Sequence, residues 1–148
     1  NVETGDTIHE NIVYGEDIQV TDIEILDSGP LSDTGAVVIT LNYTQTLEFN
    51  GVVLSTSSSP SITKGAYMIL DDNLDLITYR LISGASGNTE NVTCDSVTVN
   101  YVERELLIYG TSNGTGVSIV SPDGRSGSIS EPIPGSEQYL TYVTTHDI

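Results

Sequence analysis

No tryptophan occurs in this chain, and phenylalanine, methionine and cysteine occur once each. Bases are almost as scarce: Lys64, Arg80, Arg104 and Arg125 stand against 21 acids, a formal net charge of −17. Such a balance repels nucleic acid and anionic membrane surfaces, because phosphate neutralisation supplies most of that affinity. Neither partner is expected. No apolar run is long enough to span a bilayer and no signal-peptide pattern is present, so membrane insertion of this chain is not expected. The first residue is Asn1 and not Met, which suggests a processed chain. A single cysteine, Cys94, excludes an internal disulfide and leaves two readings, a buried thiol or a bridge between two chains. No nucleophile elbow, phosphate-cradling glycine loop or HExxH spacing is found, so no cofactor is expected apart from a hard cation considered below. Alanine is scarce as well, and no segment holds a 3.6-residue apolar period for three turns.

What remains is serine, threonine, glycine and β-branched aliphatics, a mixture that favours strands and turns. The 148 residues suit one domain, 1–148, able to bury about 70% of its unfolded surface without a staple. Ile8, Glu10, Ile12 and Tyr14 alternate, then Ile18 and Val20, after which the parity switches to Ile23 and Ile25. That switch predicts a bulge near Thr21-Asp22. Asn50-Gly51 suits a two-residue type I′ hairpin, placing Phe49 opposite Val52 and Leu47 opposite Leu54. Asn113-Gly114 repeats the signal and predicts Ile108 opposite Ile119 and Gly110 opposite Val117. Pro122 and Gly124 mark a further tight turn. Val97, Val99 and Tyr101 alternate with Ser96, Thr98 and Asn100, and the tail around Leu140–Val143 alternates again. The expectation is an antiparallel β-sandwich, or a partly closed barrel, of roughly nine to ten strands.

The segment ILDDNLDLITYRLI, residues 69–82, concentrates acid between apolar runs. Asp71, Asn73 and Asp75 fall at alternate positions, as hard-cation ligands do, and make a candidate calcium site. An EF-hand is excluded, since Leu76 and Ile82 stand where glycine and a bidentate glutamate belong. The bland alternative is a hairpin tip whose Asp and Asn bond their own backbone. A three-residue loop there places Leu70 opposite Leu74 and Met68 opposite Leu76. Either register leaves a hairpin apolar on both faces, which belongs in the middle of a structure or against a cover.

Other candidates are sparser. Asn42, Asn91 and Asn113 each begin an N-x-S/T sequon, with Asn91 and Asn113 in the more accessible places. His9 and His146 lie near opposite termini, where a two-histidine metal site with Glu10 or Asp147 would need the termini to meet. Asp33-Thr34-Gly35, followed by Ala36, resembles the catalytic loop of retroviral-type aspartic proteases. That resemblance implies a homodimer whose two loops pair their carboxylates. Ser32 replaces the apolar residue of that pattern, and LLIYGTS lacks its later arginine.

No catalytic constellation stands out, so the sequence points to a non-enzymatic extracellular protein. The leading expectation is a self-assembling subunit of a cell-surface sheath, surface layer or filament. Segment 1–27 then pairs with a neighbouring subunit, Cys94 is available for cross-linking, and calcium bridges acidic surfaces. The alternatives are a secreted carbohydrate-binding or adhesion module, marked by a concave tyrosine cluster, and the dimeric protease.

Overall fold

In the computed structural model the described residues are 10–27, 33–57, 59–85, 89–130 and 140–148. They contain twelve strands and no helix, arranged in three open antiparallel sheets. β1 (Val13–Gly15), β4 (Thr46–Phe49) and β5 (Val52–Thr56) form a cover sheet ordered β1-β4-β5. β2 (Gln19–Leu26), β3 (Ala36–Tyr43), β6 (Lys64–Asp71), β7 (Leu76–Gly84), β10 (Gly116–Val120) and β11 (Ser126–Ser130) form the central sheet. Its order is β11-β10-β7-β6-β3-β2. β8 (Ser96–Asn100), β9 (Glu105–Ser112) and β12 (Leu140–Asp147) form a facing sheet ordered β12-β9-β8. The architecture is sandwich-like, and no barrel closes.

The strand apolar on both faces is the key to this layering. β6 is buried at every position from Lys64 to Leu70. Its Tyr67 and Ile69 join Val38, Ile82, Val97, Ile108 and Tyr142 in a core against the facing sheet. Its Ala66, Met68 and Leu70 join Leu41, Leu47 and Phe49 in a second core against the cover sheet. Period-two alternation sends successive side chains to opposite faces, so each core takes every other residue. The cover that the hairpin demands comes from within the chain.

Turn chemistry decides two of the hairpins. Asn50 and Gly51 carry φ of 49° and 79°, as a type I′ turn requires, and Phe49 faces Val52. A bulge then shifts the register, so Leu47 meets Ser55 and not Leu54. At the tip between β6 and β7 the loop is longer than three residues: Leu70 meets Leu76 and Met68 meets Tyr79. Asp71 accepts from two amides beyond it, and Leu74 takes φ of 65°, which together hold a wider turn.

Asn113-Gly114 makes no hairpin. β9 pairs with β8 and β12, whereas β10 pairs with β7 and β11, so residues 113–115 cross from the facing sheet to the central one. Neither residue has the positive φ of a type I′ turn. The predicted pairing of Ile108 with Ile119 is replaced by Ile108 with Val97 and Ile119 with Ile82. The Pro122-Gly124 turn does join β10 to β11, with Gly124 at φ 79°.

The parity switch in β2 is a bulge between Val20 and Asp22. In the N-terminal segment expected to reach a neighbour, β1 pairs with β4 and β2 with β3 of the same chain. Residues 1–9 lie outside the described residues.

Candidate functional site

The acidic tip is built around its own backbone. Asp71 Oδ1 accepts from the Asn73 and Asp75 amides, each at 2.9 Å, and Asn11 Nδ2 donates to the Leu74 carbonyl at 2.6 Å. An Asx-type turn of this kind satisfies the loop without a cation. Among the described residues no group of three or more His, Cys, Asp or Glu is placed to hold a metal.

A polar seam closes one side of the sandwich, where β2 meets β8. The bulge turns both Thr21 and Asp22 toward the facing sheet. Thr21 Oγ1 donates to the Cys94 carbonyl at 2.6 Å, and Asp22 Oδ2 accepts from Ser96 Oγ at 2.9 Å and the Val97 amide at 3.1 Å. Asp22 Oδ1 also accepts from the Ile23 amide. The Val97 amide first, then Ser96 and Ile23, hold this carboxyl below the ordinary range against the opposing effect of burial. One aspartate thus caps amides on two adjoining strands.

Cys94 lies on this seam, fully buried. Burial first, and then the Asp95 charge, push its thiol up to about 12. A second chain does not reach this sulfur in the folded protein, so the expected cross-link meets a physical obstacle. Gly65 makes the close approach possible: a Cβ there would stand 2.7 Å from the Cys94 Cβ.

All three sequon asparagines act as staples. Asn42 is buried and its Oδ1 accepts from the Cys94 amide at 2.8 Å. Asn91 Oδ1 accepts from the Thr63 amide, and Asn113 Oδ1 accepts from the Asn91 amide. Asn113 alone is exposed, so a glycan fits there best.

Among the described residues the opposite side of the sandwich is open. Between β12 and the central sheet lies a cleft of about 350 Å³, lined by Tyr67, Arg80, Ile119 and residues 144–147. Tyr67 Oη and His146 Nδ1 are 3.0 Å apart, with the rings edge to face. Burial raises the Tyr67 phenol well above its usual range. Burial, then Arg80, hold the His146 imidazole below its usual range, against the Asp147 charge. A protonated phenol donating to a neutral imidazole fits both shifts. Arg80 is steadied by Nη1 bonds to Thr78 Oγ1 and the Tyr79 carbonyl. His9, the other half of the expected histidine pair, lies outside the described residues.

An apolar row marks the surface. Val20, Ile23 and Ile25 are 54%, 55% and 71% exposed. Their partners Leu41, Ile39 and Val37 lie on the face that the cover sheet occupies. Three cover strands cannot span six, so the β2 margin stays bare. Asp33 and Thr34 stand exposed in the turn before β3. Lys64 is buried, and desolvation draws its pKa down.

Sequence reading missed the cleft, because His146 lies 79 residues from Tyr67, although Tyr67 and Arg80 face each other across the β6–β7 hairpin. It also missed the seam, although the parity switch at Thr21 marked its place. Comparison with known proteins finds no matching family, no matching curated protein and no matching solved structure.

Proposed function

We propose that this chain is a non-enzymatic structural protein of the cell exterior, a subunit that self-assembles into a sheath, surface layer or filament. The observation that carries the reading is the bare row of Val20, Ile23 and Ile25 on an edge strand. Contiguous exposed aliphatic residues on a small acidic domain are a signature of an interaction surface. Full burial of such a side chain is worth about 1.5–3 kcal/mol, and these are already partly covered. The row therefore contributes to contact between copies without sustaining it alone.

The adhesion-module alternative calls for clustered tyrosines. Tyr43, Tyr67 and Tyr142 are buried, and the exposed Tyr14 and Tyr101 belong to the cover sheet and the β8–β9 turn, on opposite sides of the central sheet. Contacts between copies are non-covalent in this reading, with Cys94 remaining inside, and the acidic surface is open to bridging by calcium.

Light scattering on native protein, with negative-stain imaging of the same sample, tests the proposal. Regular particles, tubes or fibres are expected. A persistent single copy near 15.8 kDa at all concentrations and calcium levels refutes it.

A further inference from the structure

We infer that the Tyr67–His146 hydrogen bond is an acid-released latch: mild acid opens it and frees the end of β12, residues 144–148, from the central sheet. The Asp22 seam on the other side of the sandwich stays closed over the same range. The inference is independent of the self-assembly reading.

The two sides of the sandwich are fastened unequally. At the seam, Thr21 and Asp22 of β2 make three hydrogen bonds, to the Cys94 carbonyl, Ser96 Oγ and the Val97 amide. At the cleft, among the described residues, one hydrogen bond joins β12 to the central sheet, the 3.0 Å contact between Tyr67 Oη and His146 Nδ1. Past that point the strand rests on β9, where His146 pairs with Leu106 and Asp147 with Glu105. The Ile148 amide donates to the Arg104 carbonyl in the turn before β9. A strand end held in this way frays once its single tie to the other sheet is lost.

Register fixes what surrounds the imidazole. Tyr67 of β6 lies directly opposite Arg80 of β7, so phenol and guanidinium enter the cleft side by side. β10 contributes Ile119, which carries no charge. Asp147 lines the rim from the same strand as His146, and Glu105 stands across from it on β9. Period-two alternation sets both carboxylates on the face of the facing sheet opposite His146.

A neutral imidazole accepts the phenol proton at Nδ1. Protonation places a hydrogen on that nitrogen. The phenol oxygen can then accept, but its own proton is left in a fully buried place without an acceptor among the described residues. The new charge also stands beside Arg80. Burial first, then Arg80, oppose the imidazolium, and Asp147, which favours it, is the weakest of the three influences. Turning the ring out to water relieves both the orphaned proton and the repulsion.

The pH window follows from linkage. With the latch open, His146 takes up its proton near the ordinary value of about 6.5. With the latch closed it binds the proton less readily. Closure is therefore favoured fully above about pH 6.5 and is lost as pH falls below it toward the closed-state pKa. The Asp22 carboxyl, held below its ordinary range, stays ionised and bonded down to about pH 4. Between about pH 4 and 6 one side of the sandwich is released and the other is held.

NMR titration of the imidazoles in the full chain, paired with hydrogen exchange, tests this. His9 and His146 are the only histidines, so His146→Gln assigns the two signals. His146 should titrate below about 6.5, with the Tyr67 ring signals moving at the same midpoint. After allowance for the intrinsic pH dependence of amide exchange, residues 144–148 should exchange at least about threefold faster at pH 5 than at pH 7.5. A free pKa of about 6.5 sets a ceiling of about thirtyfold. The Val97 amide at the seam should keep its protection throughout. In His146→Gln, exchange of 144–148 should be the same at both pH values. A His146 midpoint at or above 6.5, or equal exchange of 144–148 at the two pH values in the unmodified chain, overturns the latch. So does a pH effect that persists in His146→Gln, since another group then drives it. Loss of Val97 protection alongside 144–148 overturns the one-sided release.

Discussion

The two faces of the central sheet are held by different physics. Toward the cover sheet the contact is mostly aliphatic and aromatic: Leu41, Leu47, Phe49, Met68 and Leu70, with polar crossings from Tyr43 Oη to Ser55 Oγ at 2.9 Å and, at the rim, from Asn11 Nδ2 to the Leu74 carbonyl at 2.6 Å. Toward the facing sheet an apolar core is ringed by directed bonds from Thr21, Asp22, Asn42 and Tyr67. Apolar burial supplies free energy but little direction. Hydrogen bonds in a dry interior contribute less net energy and fix where partners sit. The comparison teaches that the cover sheet is attached by area and the facing sheet is aligned by chemistry.

The sharpest way to break that contrast is to remove one residue from each side. Met68→Ala, at a fully buried position of the cover-side core, should cost about 2–5 kcal/mol in urea unfolding. Asn42→Ala should cost about 1–3 kcal/mol, because it leaves the Cys94 amide buried without its acceptor. Hydrogen exchange separates the two. Asn42→Ala should speed exchange in the 92–97 segment selectively, whereas Met68→Ala lowers protection throughout the central sheet. Equal, global effects would mean that the seam has no aligning role.

Asp22 sharpens the same contrast through pH. Its folded pKa lies below the unfolded value, so its contribution is complete above about pH 4 and is lost as pH falls through the folded pKa. Asp22→Asn should cost about 1–2 kcal/mol at pH 7 and flatten the stability profile below about pH 4. A variant with an unchanged acid limb would assign that limb to other carboxylates. At the alkaline end the sign reverses. Burial raises the Cys94 thiol to about 12 and Tyr142 higher still, so their share of stability is present at neutral pH and is lost as pH rises past the unfolded values. Cys94 should resist alkylation in the native state at pH 8 and react fully in denaturant. Rapid native labelling would place the thiol at the surface and restore the cross-link.

Legibility in the sequence follows the range of the forces involved. The bulge at Thr21, the Asn50-Gly51 turn and the two-faced β6 are set by residues within a few positions, and each is read directly. Asn113-Gly114 carries the same local signal as Asn50-Gly51 and behaves differently. Asn113 Oδ1 takes the Asn91 amide, and the Asn113 amide bonds the Asn91 carbonyl, so distant partners outbid the turn preference. At the acidic tip Asp71 widens a loop that pattern alone makes three residues long. The candidate sites fare alike: sequons and alternate acids are visible as motifs, but whether Asn42 is an acceptor of sugar or of a buried amide depends on a contact 52 residues away.

The smallest expected change in stability tests where the cover stops. Ile23 and Ile25 continue the cover-side face onto β2, yet among the described residues no strand lies over them. Ile23→Thr with Ile25→Thr keeps β-branching, and so strand propensity, while removing apolar surface from exposed positions. Each substitution should alter folding stability by no more than about 0.5 kcal/mol, the usual range for surface changes. Association, read by light scattering, should weaken clearly in the same variant. A large loss of folding stability would mean that these side chains already rest on the chain's own cover sheet, and the apparent margin would belong to the second core. Unchanged association would place the contact between copies elsewhere on the surface and remove the observation on which the self-assembly reading rests.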